Sequence, residues 1–131
     1  MVRPINGKGI ASAKANLDLK QEKGRAAGYL GGVKLALVVC NSYFSDRVMQ
    51  ILKECGIDYF TSWDKATGKG HGTEPHLGTG AHGSTNTVTM IAFEDDAPLA
   101  ALIGAIKASN QAIQRAADHT RLFQLPLERI V

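Results

Sequence analysis

Residues 33–41, VKLALVVCN, form a nearly continuous, β-branched apolar run, and no other stretch constrains the fold as strongly. A run of this kind suits a central strand covered on both faces or nearly so, which forces the rest of the chain to supply the cover. Two segments of helical period can do that. Val48, Ile51, Leu52 and Cys55 follow helical spacing, with Ser42 or Ser45 as a cap and Gly56 as a left-handed stop, so a helix is expected over 45–55. Leu99, Leu102, Ile103, Ile106 and Ile113 mark a second helix, capped by Asp95 and Asp96, with Pro98 in its first turn and an end near Ala117.

Three further strands follow from alternation. IDYFTSWD is aromatic and β-branched and predicts a strand that ends near Asp64. TNTVTMIAFE alternates Val88, Met90 and Ala92 against Thr87, Thr89, Ile91 and Phe93. RLFQLPLERIV closes the chain as a strand whose Pro126 marks an edge position or a strand end. The order β-α-β-loop-β-α-β is that of the α+β, ferredoxin-like βαββαβ sandwich, one sheet with two helices on one face. Phe60, Ile91, Phe93 and Leu122 are expected on its open face, where oligomerisation is the economical cover.

The two middle strands are separated by residues 65–86, KATGKGHGTEPHLGTGAHGSTN, a 22-residue segment with six glycines. Loops this long are functional or disordered more often than not, and the glycines make ordering costly. The segment is therefore expected to stay mobile until a ligand or partner holds it. Its GKGHG stretch has the outline of a phosphate cradle, with backbone amides able to converge on an anion and Lys69 supplying a point charge. It lacks the spacing of a Walker A motif. The competing reading is a solvated loop that meets only a protein partner.

His71, Glu74, His76 and His82 make a second constellation, since imidazoles and a carboxylate on one loop are the ligand types of zinc, copper or nickel sites. No preset spacing fixes their geometry, and the plainer reading is surface histidines without a specific role. No Ser-His-Asp or Cys-His set is visible, so no enzymatic activity is expected. Trp63, just before the loop, suits packing at a subunit contact better than stacking on a base.

At 131 residues and 44% hydrophobic content the chain has room for one core, in the domain 33–131. Residues 1–32 are polar and glycine-punctuated and read as a helical or flexible extension. Much of the net charge of +3 comes from that extension, so basicity is weak evidence for nucleic acid. Cys40 and Cys55 fall in or beside core elements, as reduced thiols do in a reducing compartment. No stretch approaches the ~20 apolar residues of a membrane span or has signal-peptide form, which points to a cytoplasmic protein without membrane insertion.

The strand start VKLALVV, the helix RVMQILKECGI, the loop base DKATGKGHGTE, the stretch TVTMIAFEDDAPLAALIGAI and the ending RLFQLPLERIV together resemble the PII signalling superfamily. That resemblance covers 33–131 and implies a homotrimer that binds an adenine nucleotide (ATP, ADP or AMP) in clefts between subunits. It also implies a T-loop, about 65–86, that contacts a target such as a membrane transporter or a metabolic enzyme. The positions it assigns to effector binding are Cys40 and Asn41 at the end of strand one, Asp64, Lys65, Gly68, Lys69 and Gly70 at the T-loop base, and Arg115, His119 and Arg121 before and in the last strand. The chain departs from the nitrogen-regulatory type in two ways. The glycine-rich B-loop is replaced by QAIQRAADHTRLF, which has no glycine, and the sequence ends at Val131 without that type's basic tail. Both weigh against tight ATP binding of the usual sort and imply a divergent PII-like protein. The alternatives are a metal-binding trimer of the divalent-cation-tolerance kind, whose usual signatures are absent, and an RRM-type RNA-binding module. The latter ranks last because TNTVTMIAFE lacks the RNP1 pattern.

Overall fold

The structure is a computed structural model and describes residues 32–78 and 84–131. The extension expected over 1–32 lies almost wholly outside the described residues, as does His82. Four strands form one antiparallel sheet: β1 (Lys34–Asn41), β2 (Thr61–Ala66), β5 (Asn86–Phe93) and β6 (Arg121–Pro126). Their order is β2-β5-β1-β6, with the apolar run at the centre as its composition requires. Helices α1 (Ser45–Glu54) and α2 (Asp96–Gln111) supply the cover, and a small hairpin pairs β3 (Gly68–Lys69) with β4 (Pro75–His76). This is the ferredoxin-like βαββαβ arrangement.

The pleat sorts side chains cleanly. Ala36, Val38 and Cys40 of β1 and Ile91 and Phe93 of β5 join Val48, Ile51 and Leu52 of α1, Ile57, and Leu99, Leu102 and Ile106 of α2 in one buried core. Ile91, Phe93 and Leu122 therefore lie on the covered face, opposite to the sequence expectation. The physical reason is the register: Ala36 pairs with Ile91 and Val38 with Leu122, so these share the face that Ala36 and Val38 turn to the helices. Phe60 also departs from expectation, since it lines a shallow hollow with Met49 and Leu52 of α1 and Ile57. The open face is built instead from Leu35, Leu37 and Val39, their partners Ala92, Met90 and Val88, and the outer residues Trp63, Phe123 and Leu125. Trp63 and Phe123 are each about half exposed, at 49% and 52%.

Several boundaries also differ. Ile57 to Phe60 precede the second strand, which runs two residues past Asp64 through a bulge: Trp63 pairs with Val88 but Ala66 with Asn86, and Lys65 takes φ +60°. Neither Ser42 nor Ser45 caps α1. Asn41 instead accepts a hydrogen bond from the Tyr43 amide (3.0 Å) and starts a 3-10 turn, Ser42–Phe44, that leads into the helix. Asp95 occupies the N-cap position of α2 without a side-chain cap, and Asp96 bonds to the ammonium of Lys34 on β1. Helix α2 stops at Gln111, six residues short of the expected end, because the Asn110 side chain holds both the N–H and the C=O of Thr120 at 2.8 Å. The chain is thereby turned back toward β6.

Gly56 ends α1 at φ +73°, as its position predicted. Nothing crowds a side chain there, so the cost of Gly56→Ala is conformational only. A loss of about 1 kcal/mol is expected, readable as a lower denaturant midpoint at unchanged m-value.

Among the described residues no helix is long and apolar enough to cross a membrane.

Candidate functional site

A cleft of about 330 Å³ lies where the end of β1, the start of β5, the β3–β4 hairpin and the turn before β6 meet. Of the ten expected effector positions it brings together seven: Cys40, Asn41, Gly68, Lys69, Gly70, His119 and Arg121. Asp64, Lys65 and Arg115 stand outside its wall. Sequence reasoning did not assign Thr73, His76 and Asn86 to it, although all three line it.

Asp64 has a structural task at the loop base. Its Oδ1 accepts from the Lys65 amide (2.8 Å) and the Ser42 hydroxyl (3.0 Å), with Thr87 Oγ1 at 3.1 Å. The amide of Lys65, then the two hydroxyls, hold the carboxyl below its ordinary range. Ser42 also donates its amide to the Thr85 carbonyl (2.8 Å). The turn after β1 thus grips both stems of the long loop, at Asp64 on one side and Thr85 and Thr87 on the other.

Beyond that knot the described residues of the loop form the β3–β4 hairpin. Gly70 carries its fold-back: a Cβ there would sit 2.8 Å from Thr73 Oγ1 and 3.7 Å from the Arg121 guanidinium. The lack of a side chain leaves room for the Thr73 hydroxyl, which donates to the Gly70 carbonyl at 3.0 Å. Lys69 reaches only the Gly70 carbonyl, at 3.4 Å. Among the described residues neither Lys69 nor Arg121 has a carboxylate within ion-pair distance, as the two ion pairs found there are Lys34–Asp96 and Arg115–Asp118. Two cations with no ion-pair partner among the described residues, beside a glycine-rich backbone, suit an anion.

The glycine-free segment before β6 forms a 3-10 turn, Ala116–Asp118, whose Asp118 accepts from Asn41 Nδ2 (3.1 Å). His119 Nε2 donates to the Ile113 carbonyl (2.8 Å). Side-chain hydrogen bonds, not glycines, shape this wall.

His76 is the histidine that sequence reading misjudged. The plainer reading puts it at the surface, but it is 8% exposed and its Nδ1 lies 2.6 Å from Asn86 Oδ1. His71 and Glu74 are exposed, and among the described residues no group of three His, Cys, Asp or Glu is placed to hold a metal ion.

Cys40 is 3% exposed, and burial pushes its thiol up to about 11, against a smaller lowering by the Thr87 backbone. Burial and Glu54 also raise the Cys55 thiol, which is less covered. Because the thiolate is the reactive form, Cys40 is expected to resist a disulfide reagent at pH 8 in the folded protein, while Cys55 reacts first. Equal rates in a timed thiol assay would contradict that ranking.

No family model matches the sequence, and no curated protein matches it either. The fold does have solved counterparts. The chain resembles the structure of CPII bound to ADP and bicarbonate, from Thiomonas intermedia K12, with a TM-score of 0.54 at 12% identity over 74% of this chain and 89% of that one. A second structure of CPII, a nitrogen regulatory PII-like protein from the same organism, bound to ADP, AMP and bicarbonate, gives 0.49 at 13% identity over 76% and 96%. At this identity the likeness establishes the fold, which is PII-like.

Proposed function

We propose that this chain is a divergent PII-like signal-transduction protein, a homotrimer that binds an adenine nucleotide in a cleft completed between subunits and regulates a membrane transporter or metabolic enzyme through its T-loop. One observation carries the reading: the cleft and the loop base are one place. Lys69, Gly70 and His76 belong both to the loop and to the wall of the cleft, so a ligand bound there interacts differently with ordered and disordered states of the loop. That difference in affinity is all a population switch requires. The solved CPII structure of the same fold holds ADP, which supports a nucleotide as the anion. The apolar open face supports assembly, since Leu35, Leu37, Val39, Met90, Phe123 and Leu125 otherwise meet water. No chemistry on the ligand is part of the proposal.

Calorimetric titration of the protein with ATP, ADP and AMP tests it. Saturable micromolar binding near one nucleotide per chain is expected, and silence with all three would overturn it.

A further inference from the structure

We propose that His76 is a ligand-contacting, proton-accepting group of this cleft, so that an anion binds together with a proton; this rests on the cleft being the effector site. The argument starts from a hydrogen bond. Asn86 Oδ1 can only accept, so the 2.6 Å contact requires Nδ1 of His76 to carry the proton. That leaves Nε2 as the ring atom whose state changes with pH. Among the described residues Nε2 makes no hydrogen bond, although the side chain is among the few buried polar groups and lines the cleft. A ring nitrogen without a protein partner, on a side chain that lines a cleft, is available to a ligand.

The titratable and charged groups facing His76 decide the direction. Lys69 and Glu74 come from its own hairpin, Cys40 from β1, His119 from the turn and Arg121 from β6. The lining carries two fixed cations and one carboxylate. An anion reverses that balance and gives the imidazolium Nε2–H an acceptor. Binding therefore favours the protonated ring, and affinity rises as pH falls through the histidine range. Because His76 also ties the hairpin to Asn86 at the start of β5, the same contact lets the ligand act on both stems of the T-loop.

The test titrates ADP and inorganic pyrophosphate into wild type and His76→Gln by calorimetry, at pH 6, 7 and 8 and in two buffers of different ionisation enthalpy. Subtracting the variant removes the ligands' own titration. Wild type is expected to take up more protons than the variant and to lose about tenfold more affinity between pH 6 and 8, the worth of a charge-assisted hydrogen bond. Imidazole NMR on wild type provides a check that no substitution disturbs, and ADP should move the His76 titration midpoint upward. Identical pH dependence in the two proteins, or a midpoint unmoved by bound ADP, would overturn the inference while leaving nucleotide binding intact. Pyrophosphate binding with proton uptake but no ADP binding would sustain the proton-linked anion site and sink the nucleotide reading. If neither ligand binds, both fall.

Discussion

Phe93→Ala is expected to lower the unfolding free energy by about 3–5 kcal/mol, the cost of removing a large buried side chain and leaving a cavity. Phe93 is 1% exposed, belongs to the core beneath the helices, and meets the Tyr59 ring edge-on at a centroid distance of 6.1 Å. Its neighbours come from a strand and two helices, so the site cannot collapse without moving whole elements. Equilibrium denaturation measures the loss directly. Phe123→Ala supplies the contrast. That ring is on the opposite face and 52% exposed, so its removal should cost the isolated fold well under half as much. A similar loss at both positions, measured at concentrations below those at which the chains associate, would mean that the two faces have been assigned wrongly.

Leu37→Asp is the second large effect, and it bears on assembly. Leu37 occupies the middle of the open face, with Met90 beside it on β5 and Phe123 on β6. A carboxylate at that point remains hydrated in a lone chain but would be buried unpaired in a subunit contact, at a cost of several kcal/mol. Native mass measurements should show three chains for wild type and one for the variant, with the far-ultraviolet circular dichroism unchanged. A wild-type mass of one chain would remove the trimer and the completed cleft from the account. An unchanged mass in the variant would place the contact on some other surface.

The architecture was legible in the sequence because its signals are local. The β-branched run of β1, the helical spacing of Val48, Ile51 and Leu52, and Gly56 each act within a few residues, and the structure agrees with them. What could not be read depends on partners distant in sequence. Alternation in β5 separates two sets of residues but does not say which set turns to the helices, and pairing with β1 decides it. The stretch after Gln111 is rich in helix formers, yet the Asn110 side chain and Thr120, ten residues apart, end the helix.

The candidate site shows the same division. Lys69, drawn from the glycine and charge pattern of the loop, and Arg121, drawn from the family resemblance, line one cleft with the end of β1. Asp64 was picked for its place at the loop base and turns out to hold the knot with Ser42 and Thr87. His76 is named in the sequence only as a candidate metal ligand or surface residue, because burial of a loop histidine has no signature in a single sequence. The nearest signal was its spacing from Asn86 across the loop, which becomes meaningful only once β4 and β5 are placed.

The central claim is that a ligand in the cleft sets the state of the loop. Hydrogen exchange across residues 65–86, with and without saturating ADP, tests it most directly, using wild type and Arg121→Ala. Protection of the amides around Gly68 to Thr73 should rise on ADP binding in wild type, and the rise should be lost or need much more ADP in the variant. Saturated binding that leaves those amides unchanged would contradict the account, because the nucleotide would then occupy the protein without acting on the loop.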